Sequence, residues 1–171
     1  MSGHGTGSIS FMGRMVSSIR LKVLYADGMD LVEETSSYFD REGRSLSKEL
    51  PRIASALYVS ESVHLTTRLM QMVSWLLLQR ALENGEMSFE QVITERKKIR
   101  FDSSDLNRTP APGWDDIPCF FQNLVESSLR LQRRIMLLDK EIYAGQVEGS
   151  SHRPNNVRAQ IDLLKTCFGN V

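Results

Sequence analysis

The feature that most restricts this chain is a seam of apolar residues running from Ile117 to Ile142. Ile117, Phe121, Leu124, Ser128, Leu131, Ile135, Leu138 and Ile142 follow one another at alternating steps of four and three. That spacing holds all of them on one stripe of an α-helix, whereas a strand would alternate faces at every second residue. A heptad seam of this length demands a helical neighbour with a matching seam. Phe120, Val125 and Leu129 widen the stripe to what a bundle core requires. Asp115 or Asp116 is placed to cap the helix, Pro118 suits its first turn, and Gly145 marks its end.

Two other long helices are predicted ahead of it. The first runs from Phe11 to Phe39, with Met15, Ile19, Val23 and Ala26 on one face and Met29, Val32 and Phe39 continuing an apolar side. Gly43 marks its end region, and Asp40 to Lys48 reads as a polar connection. The second opens at Pro51 and reaches Asn84, with Gly85 as a left-handed stop. Its stripe is Tyr58, Leu65, Leu69, Met72 and Leu76. The segment Leu69 to Leu78 is apolar almost all round, so it must be covered on several sides.

Shorter elements fill the rest. Ser88 and Gln91 form a capping-box pattern that opens a short helix from Phe89 to about Arg100, with Val92 and Ile99 on its apolar side. From Phe101 to Asp116 the pairs Thr109-Pro110 and Pro112-Gly113 interrupt all periodicity, and the stretch reads as a loop. Beyond Gly145, residues 146–155 read as linker. Val157, Ile161, Leu164 and Phe168 then recur at four, three and four, which predicts a C-terminal amphipathic helix. So short a helix is marginal alone and needs a partner, either the bundle or another protein. The expected organisation is a disordered N-terminus over residues 1–10, a helical bundle over 11–145, and a linker with an amphipathic segment over 146–171. The fold class is all-α: an up-down-up three-helix bundle of long helices, with a short helix after the second and another at the C-terminus.

Charge and cysteine content narrow the function. Lys plus Arg number 21 and Asp plus Glu number 21, so no global field draws the chain to nucleic acid or an anionic membrane. Cys119 and Cys167 are far apart and form no CxxC pattern, which suits reduced thiols in a cytoplasmic protein. The first ten residues lack the basic-then-apolar layout of a signal peptide. The apolar run Leu69 to Leu78 falls short of the roughly 18 residues needed to span a bilayer.

Little in the sequence signals bond-making chemistry. The glycines of Gly3-His4-Gly5-Thr6-Gly7 lack the lysine and preceding strand of a phosphate loop. Glu61-Ser62-Val63-His64 is a single ExxH, whereas a di-metal bundle needs two such pairs and two further carboxylates. No metal, cofactor or catalytic residue is therefore assigned. Glu61, His64 and Arg68, at i, i+3 and i+7, form either a polar ladder satisfied at a helix seam or a recognition patch for a partner. Trp114, in the Pro-Gly loop, either plugs back onto the bundle or meets a partner. With the amphipathic positions Val157, Ile161, Leu164 and Phe168, these residues make up the candidate partner-binding set. Two alternatives stand beside protein binding. One is a nucleic-acid regulator using the basic run Arg96-Lys97-Lys98 with Arg100, which otherwise reads as a solvated helix face. The other is a ligand- or metal-binding bundle enzyme using Glu61 and His64.

Several stretches carry a family resemblance. These are Gly28-Met-Asp-Leu-Val-Glu-Glu, Leu50-Pro-Arg, the long run Glu61-Ser-Val-His-Leu-Thr-Thr-Arg-Leu-Met-Gln-Met-Val-Ser-Trp-Leu-Leu-Leu-Gln-Arg-Ala, and Asn84-Gly-Glu-Met. Over roughly residues 15–145 the chain resembles the alphaproteobacterial family named for the regulator of CtrA degradation. The resemblance implies a three-helix bundle that forms a homodimer. It also implies a non-enzymatic adaptor that helps deliver cell-cycle regulators to the ClpXP protease together with co-adaptors, in the cytoplasm and often at the cell pole. The family's C-terminal tail is variable, whereas here it carries an amphipathic pattern.

Overall fold

Five helices make up the regular structure of the described residues: α1 (Thr6–Asp40), α2 (Glu42–Leu46), α3 (Arg52–Glu83), α4 (Phe89–Arg96) and α5 (Cys119–Val147). The computed structural model describes residues 6–101 and 111–147, with side chains placed for 17–101 and 111–143. Among the described residues no strand occurs. The chain divides into two compact units, Met1–Met136 and Leu137–Val171.

The core of the first unit is built from three heptad seams. On α1, Leu21, Leu24, Gly28, Leu31, Thr35 and Tyr38 are buried at steps of three and four. On α3 the buried series is Ala54, Tyr58, Glu61, Leu65, Arg68, Met72, Trp75 and Gln79, with Leu69 and Leu76 beside it. On α5, Phe121, Leu124, Ser128, Leu131 and Ile135 are all buried, as the spacing predicts. Each fully buried large apolar side chain contributes about 1.5–3 kcal/mol through removal from water. The seams are thus what hold the unit together. In the second unit, Leu138 and Tyr143 are buried and Leu137 is exposed.

The face expected for α1 is corrected. Ile19 and Val23, taken as core from their spacing, are 55% and 47% exposed. The buried seam instead passes through Gly28, where an added Cβ would lie 2.8 Å from Leu76 Cδ1 and 3.8 Å from Leu131 Cδ2. Close approach of three helices at Gly28 outweighs the larger apolar area of the Ile19 face, because dense packing rewards contact rather than hydrophobicity alone.

The up-down-up order is corrected as well. Tyr58 of α3 packs on Phe121 of α5, with ring centroids 4.5 Å apart. Further along both helices, Arg68 of α3 bonds Ser128 of α5 at 2.7 Å. α3 and α5 therefore run in the same direction. α1 opposes both: Tyr38 meets Phe121 at 5.9 Å, and Asp27 meets Arg134 at 2.6 Å. The connection over residues 84–118 makes this possible. A chain of that length reaches far beyond the ~48 Å of α3, at ~3.3 Å per extended residue. Its far end returns to the start of α3, where a Cβ on Gly113 would sit 3.2 Å from the Cα and N of Ala54.

Helix ends follow local chemistry. α3 closes in a Schellman motif: Glu86 N–H donates to Ala81 O at 2.9 Å and Gly85 N–H to Leu82 O at 3.2 Å, with Gly85 at φ +73°. The Ser88–Gln91 capping box is formed, with Gln91 N–H donating to Ser88 Oγ and Ser88 N–H to Gln91 Oε1. α4 ends at Arg96 rather than Arg100, and Val92 is its buried anchor. At the start of α5, Pro118 rather than Asp115 or Asp116 holds the capping position, its carbonyl accepting from Gln122 N–H at 3.1 Å. Three elements depart from the expected bounds. α1 begins at Thr6, α5 continues past Gly145 to Val147, and the connection 40–48 contains α2, which packs on α1. Most of the loop predicted over 101–116 and the whole C-terminal helix predicted over 157–168 lie outside the described residues.

Candidate functional site

The polar ladder on α3 lies inside the bundle. Glu61 is 1% and Arg68 3% exposed, because both fall in the buried seam and not beside it. Arg68 Nη1 donates to Ser128 Oγ at 2.7 Å, and Ser128 Oγ donates to the Val125 carbonyl at 2.6 Å. Gln132, one turn beyond Ser128, is also buried, so a polar layer crosses the middle of the core. A buried charge is tolerated only when hydrogen-bonded or paired. His64 is separated from this layer and stands exposed on α3. The three residues expected to act together thus divide: two serve the helix seam, and one faces solvent. Burial removes Glu61 and Arg68 from the partner-facing surface.

Trp114 is half-buried. Its carbonyl accepts from Gln122 Nε2 at 2.7 Å and from Ile117 N–H at 3.1 Å, and its N–H donates to Ala111 O at 3.0 Å. The tryptophan backbone is therefore latched to the first turn of α5. Val157, Ile161, Leu164 and Phe168 lie outside the described residues.

The alternative sites gain nothing from this geometry. Among the described residues, no three His, Cys, Asp or Glu side chains converge in a way that could hold a metal ion. In the basic run, Lys98 pairs with Glu95 at 2.6 Å, and Arg96 has part of its surface covered. No helix of the described residues is long and apolar enough to cross a membrane.

What the surface does offer is a charge-poor face on α3. Val59, Val63, Met70 and Leu77 are 60%, 60%, 67% and 48% exposed, and Thr66 and Val73 complete their row at steps of four and three. Between Ile53 and Gln79 the only Asp, Glu, Lys or Arg residues are Glu61 and Arg68, both turned into the core. The hydroxyls of Ser62, Thr66 and Ser74 are bonded to carbonyls four residues back at 2.7, 2.8 and 2.8 Å. Beside this row lies a groove of about 400 Å³ between α1 and α3, lined by Val32, Thr35, Ser36, Phe39, Thr66, Leu69, Met70 and Val73 together with the carboxylate residue Asp40. The Thr35 hydroxyl is buried there without a hydrogen-bond partner. The spacing of this second row was available in the sequence, but the stronger inner stripe on the same helix masked it.

Against known proteins, no curated protein matches the chain. The family model described as Protein of unknown function (DUF1465) matches residues 12–168. Among solved structures, the crystal structure of RcdA from Caulobacter crescentus CB15 is similar, with 37% identity and a TM-score of 0.57. The match covers 72% of this chain and 91% of that one. The chain therefore belongs to the family described as Protein of unknown function (DUF1465), and within it is RcdA-like.

Proposed function

We propose that this chain is a non-enzymatic protein–protein adaptor that assists regulated proteolysis of cell-cycle regulators by the ClpXP protease. The observation that carries the reading is its 37% identity to RcdA over 91% of that protein's length. The charge-poor outer face of α3 supports it from the physical side, since apolar surface at helical spacing suits binding to another protein. In this reading the chain acts as a homodimer in the cytoplasm, recruited to the cell pole with its partners. Its partners are protease components, co-adaptors and protein substrates. Trp114, His64 and the amphipathic positions Val157, Ile161, Leu164 and Phe168 remain the proposed contacts.

Affinity purification from the native cell tests this, comparing the full chain with a truncation after Gly145. Recovery of ClpX or ClpP with the full chain, diminished in the truncation, is the expected result. Absence of protease components from both would sink the adaptor reading. Leu164→Glu should reproduce the truncation's loss of binding while leaving helicity and melting of the bundle unchanged.

A further inference from the structure

We infer that the groove between α1 and α3 is a binding site for a small amphiphilic amine, a compact apolar molecule carrying one protonated nitrogen. The site stands on its own geometry and does not depend on the adaptor reading.

Size sets the class of occupant. The groove holds about 400 Å³. A single turn of an α-helix, ~10 Å across and ~5.4 Å long, already fills that space. A docked helix would therefore lie over the groove and not in it, whereas small-molecule sites begin at about 300 Å³. The walls suit an apolar body. Leu69 is a buried part of the lining, and Val32, Phe39 and Val73 are half-buried around it. The Phe39 ring is held by Tyr38 at 5.8 Å and by Phe121 at 6.1 Å, so this wall stands ready-made. Met70, 67% exposed, forms a lip on α3, and its unbranched thioether adapts to the shape beneath it.

Charge sets the sign. Among the lining residues Asp40 alone is charged. It is exposed and makes no ion pair among the described residues. It is also the last residue of α1, a helix with no basic residue in its last turn. The negative end of the α1 dipole therefore lies beside the carboxylate. An ammonium placed there meets the carboxylate and the terminal carbonyls together, while an anion is repelled by both.

Orientation comes from Thr35. Thr66 Oγ1 already donates to the Ser62 carbonyl at 2.8 Å. The Thr35 hydroxyl, on a residue 3% exposed, has no partner. A buried hydroxyl left unsatisfied costs stability that an acceptor on a ligand restores. From Thr35 to Asp40 the rise along α1 is ~7.5 Å. The ligand therefore carries its acceptor about that distance from its amine. Met70 and Val73 belong to the outer row of α3 as well, so an occupied groove alters the surface that row presents.

Titration of 5-phenoxypentylamine into the full chain, followed by the methyl NMR signals of Val, Leu and Met, tests the site. Its ether oxygen can accept from Thr35 while its amine reaches Asp40. Saturable shifts at Val32, Leu69, Met70 and Val73 are expected, with a dissociation constant on the order of a millimolar or below. The alcohol 5-phenoxypentan-1-ol should bind roughly 2–5-fold more weakly, and the carboxylate 6-phenoxyhexanoate should not bind at ~10 mM. Asp40→Asn should reduce the amine to the affinity of the alcohol and leave the alcohol unchanged. Thr35→Val should weaken the phenoxy amine and spare 6-phenylhexylamine, which has a methylene in place of the ether oxygen. Both variants should keep their helicity, since Asp40 is exposed and Val matches Thr in shape. No response to the amine, equal binding of amine, alcohol and carboxylate, shifts confined to other surfaces, or an unchanged amine affinity in either variant would overturn the proposal. Groove signals that move with protein concentration and with no probe would give the groove to a second copy, and would overturn it as well.

Discussion

Arg68 on α3 donates its Nη1 proton to Ser128 Oγ on α5 across 2.7 Å, in a layer shielded from solvent on every side. The bond ties together two parallel helices that no short loop could join. Ser128 is the small hydroxyl residue that interrupts the apolar seam of α5, and its partner explains the interruption. Replacing it by Ala deprives a buried guanidinium of this acceptor. Ser128→Ala should lower stability by ~1–3 kcal/mol, read as a fall in the denaturant midpoint with an unchanged slope. An unchanged midpoint would show that the bond contributes nothing net.

Leu131 occupies the next position of the seam, 4% exposed, near the close approach of α1 at Gly28. Leu131→Ala leaves a cavity that tight neighbours cannot close, and should cost ~2–5 kcal/mol. Thermal melting followed by circular dichroism would detect it, and a wild-type midpoint would contradict the core assignment.

Gly113 combines two constraints at the end of the long return connection. Its φ is +86°, and a Cβ there would meet the Ala54 backbone at 3.2 Å. Backbone cannot yield as a side-chain tip can. Gly113→Ala should therefore destabilise by ~1–3 kcal/mol, combining left-handed strain and overpacking. The matching change at Gly85, with φ +73° and open space around it, carries only the first of these costs. Chemical denaturation of the two variants side by side should rank Gly113→Ala as the more damaging, and the reverse order would refute this account.

Tyr38 and Tyr58 bring two buried hydroxyls together beneath Gly43, neither with a partner in hydrogen-bonding geometry. Burial, reinforced by the nearby Tyr58 hydroxyl, pushes ionisation of Tyr38 well above its ordinary value of 10.0. Above that pH the unfolded chain releases this proton while the folded chain keeps it. The folded state then binds more protons, so stability falls as pH rises. The contribution is intact below pH 10 and is lost progressively above it. Denaturant titrations from pH 9 upward should show the loss. Tyr38→Phe should flatten that slope while leaving stability at neutral pH the same or higher, since it removes an unpaired buried hydroxyl. An equally steep slope in the variant would place the alkaline sensitivity elsewhere.

Local signals were legible where one short segment decides the outcome. The Ser88–Gln91 cap, the Gly85 stop and the α5 seam all depend on residues within a few turns of each other, and each formed as its spacing predicts. Elements that depend on a neighbour were harder to read. α1 carries two apolar stripes, and nothing within α1 says that the one containing Gly28 is chosen. α2 has only five residues, too few for a periodic signal. Glu61 and Arg68 look like surface charges because their type is usually exposed. Only the position of each in the 4-3 series of α3 hints that both point inward.

The chain by itself determined an all-helical fold and the positions of its long helices, because heptad spacing and capping chemistry act along a single segment. Tertiary structure alone decided that α3 and α5 run parallel, that Glu61 and Arg68 of α3 lie in the core, and that a second, uncharged row on the same helix is left facing outward. Those outcomes depend on how three helices share one interior: each must give up one face, and which face it gives up depends on how closely its neighbours can approach.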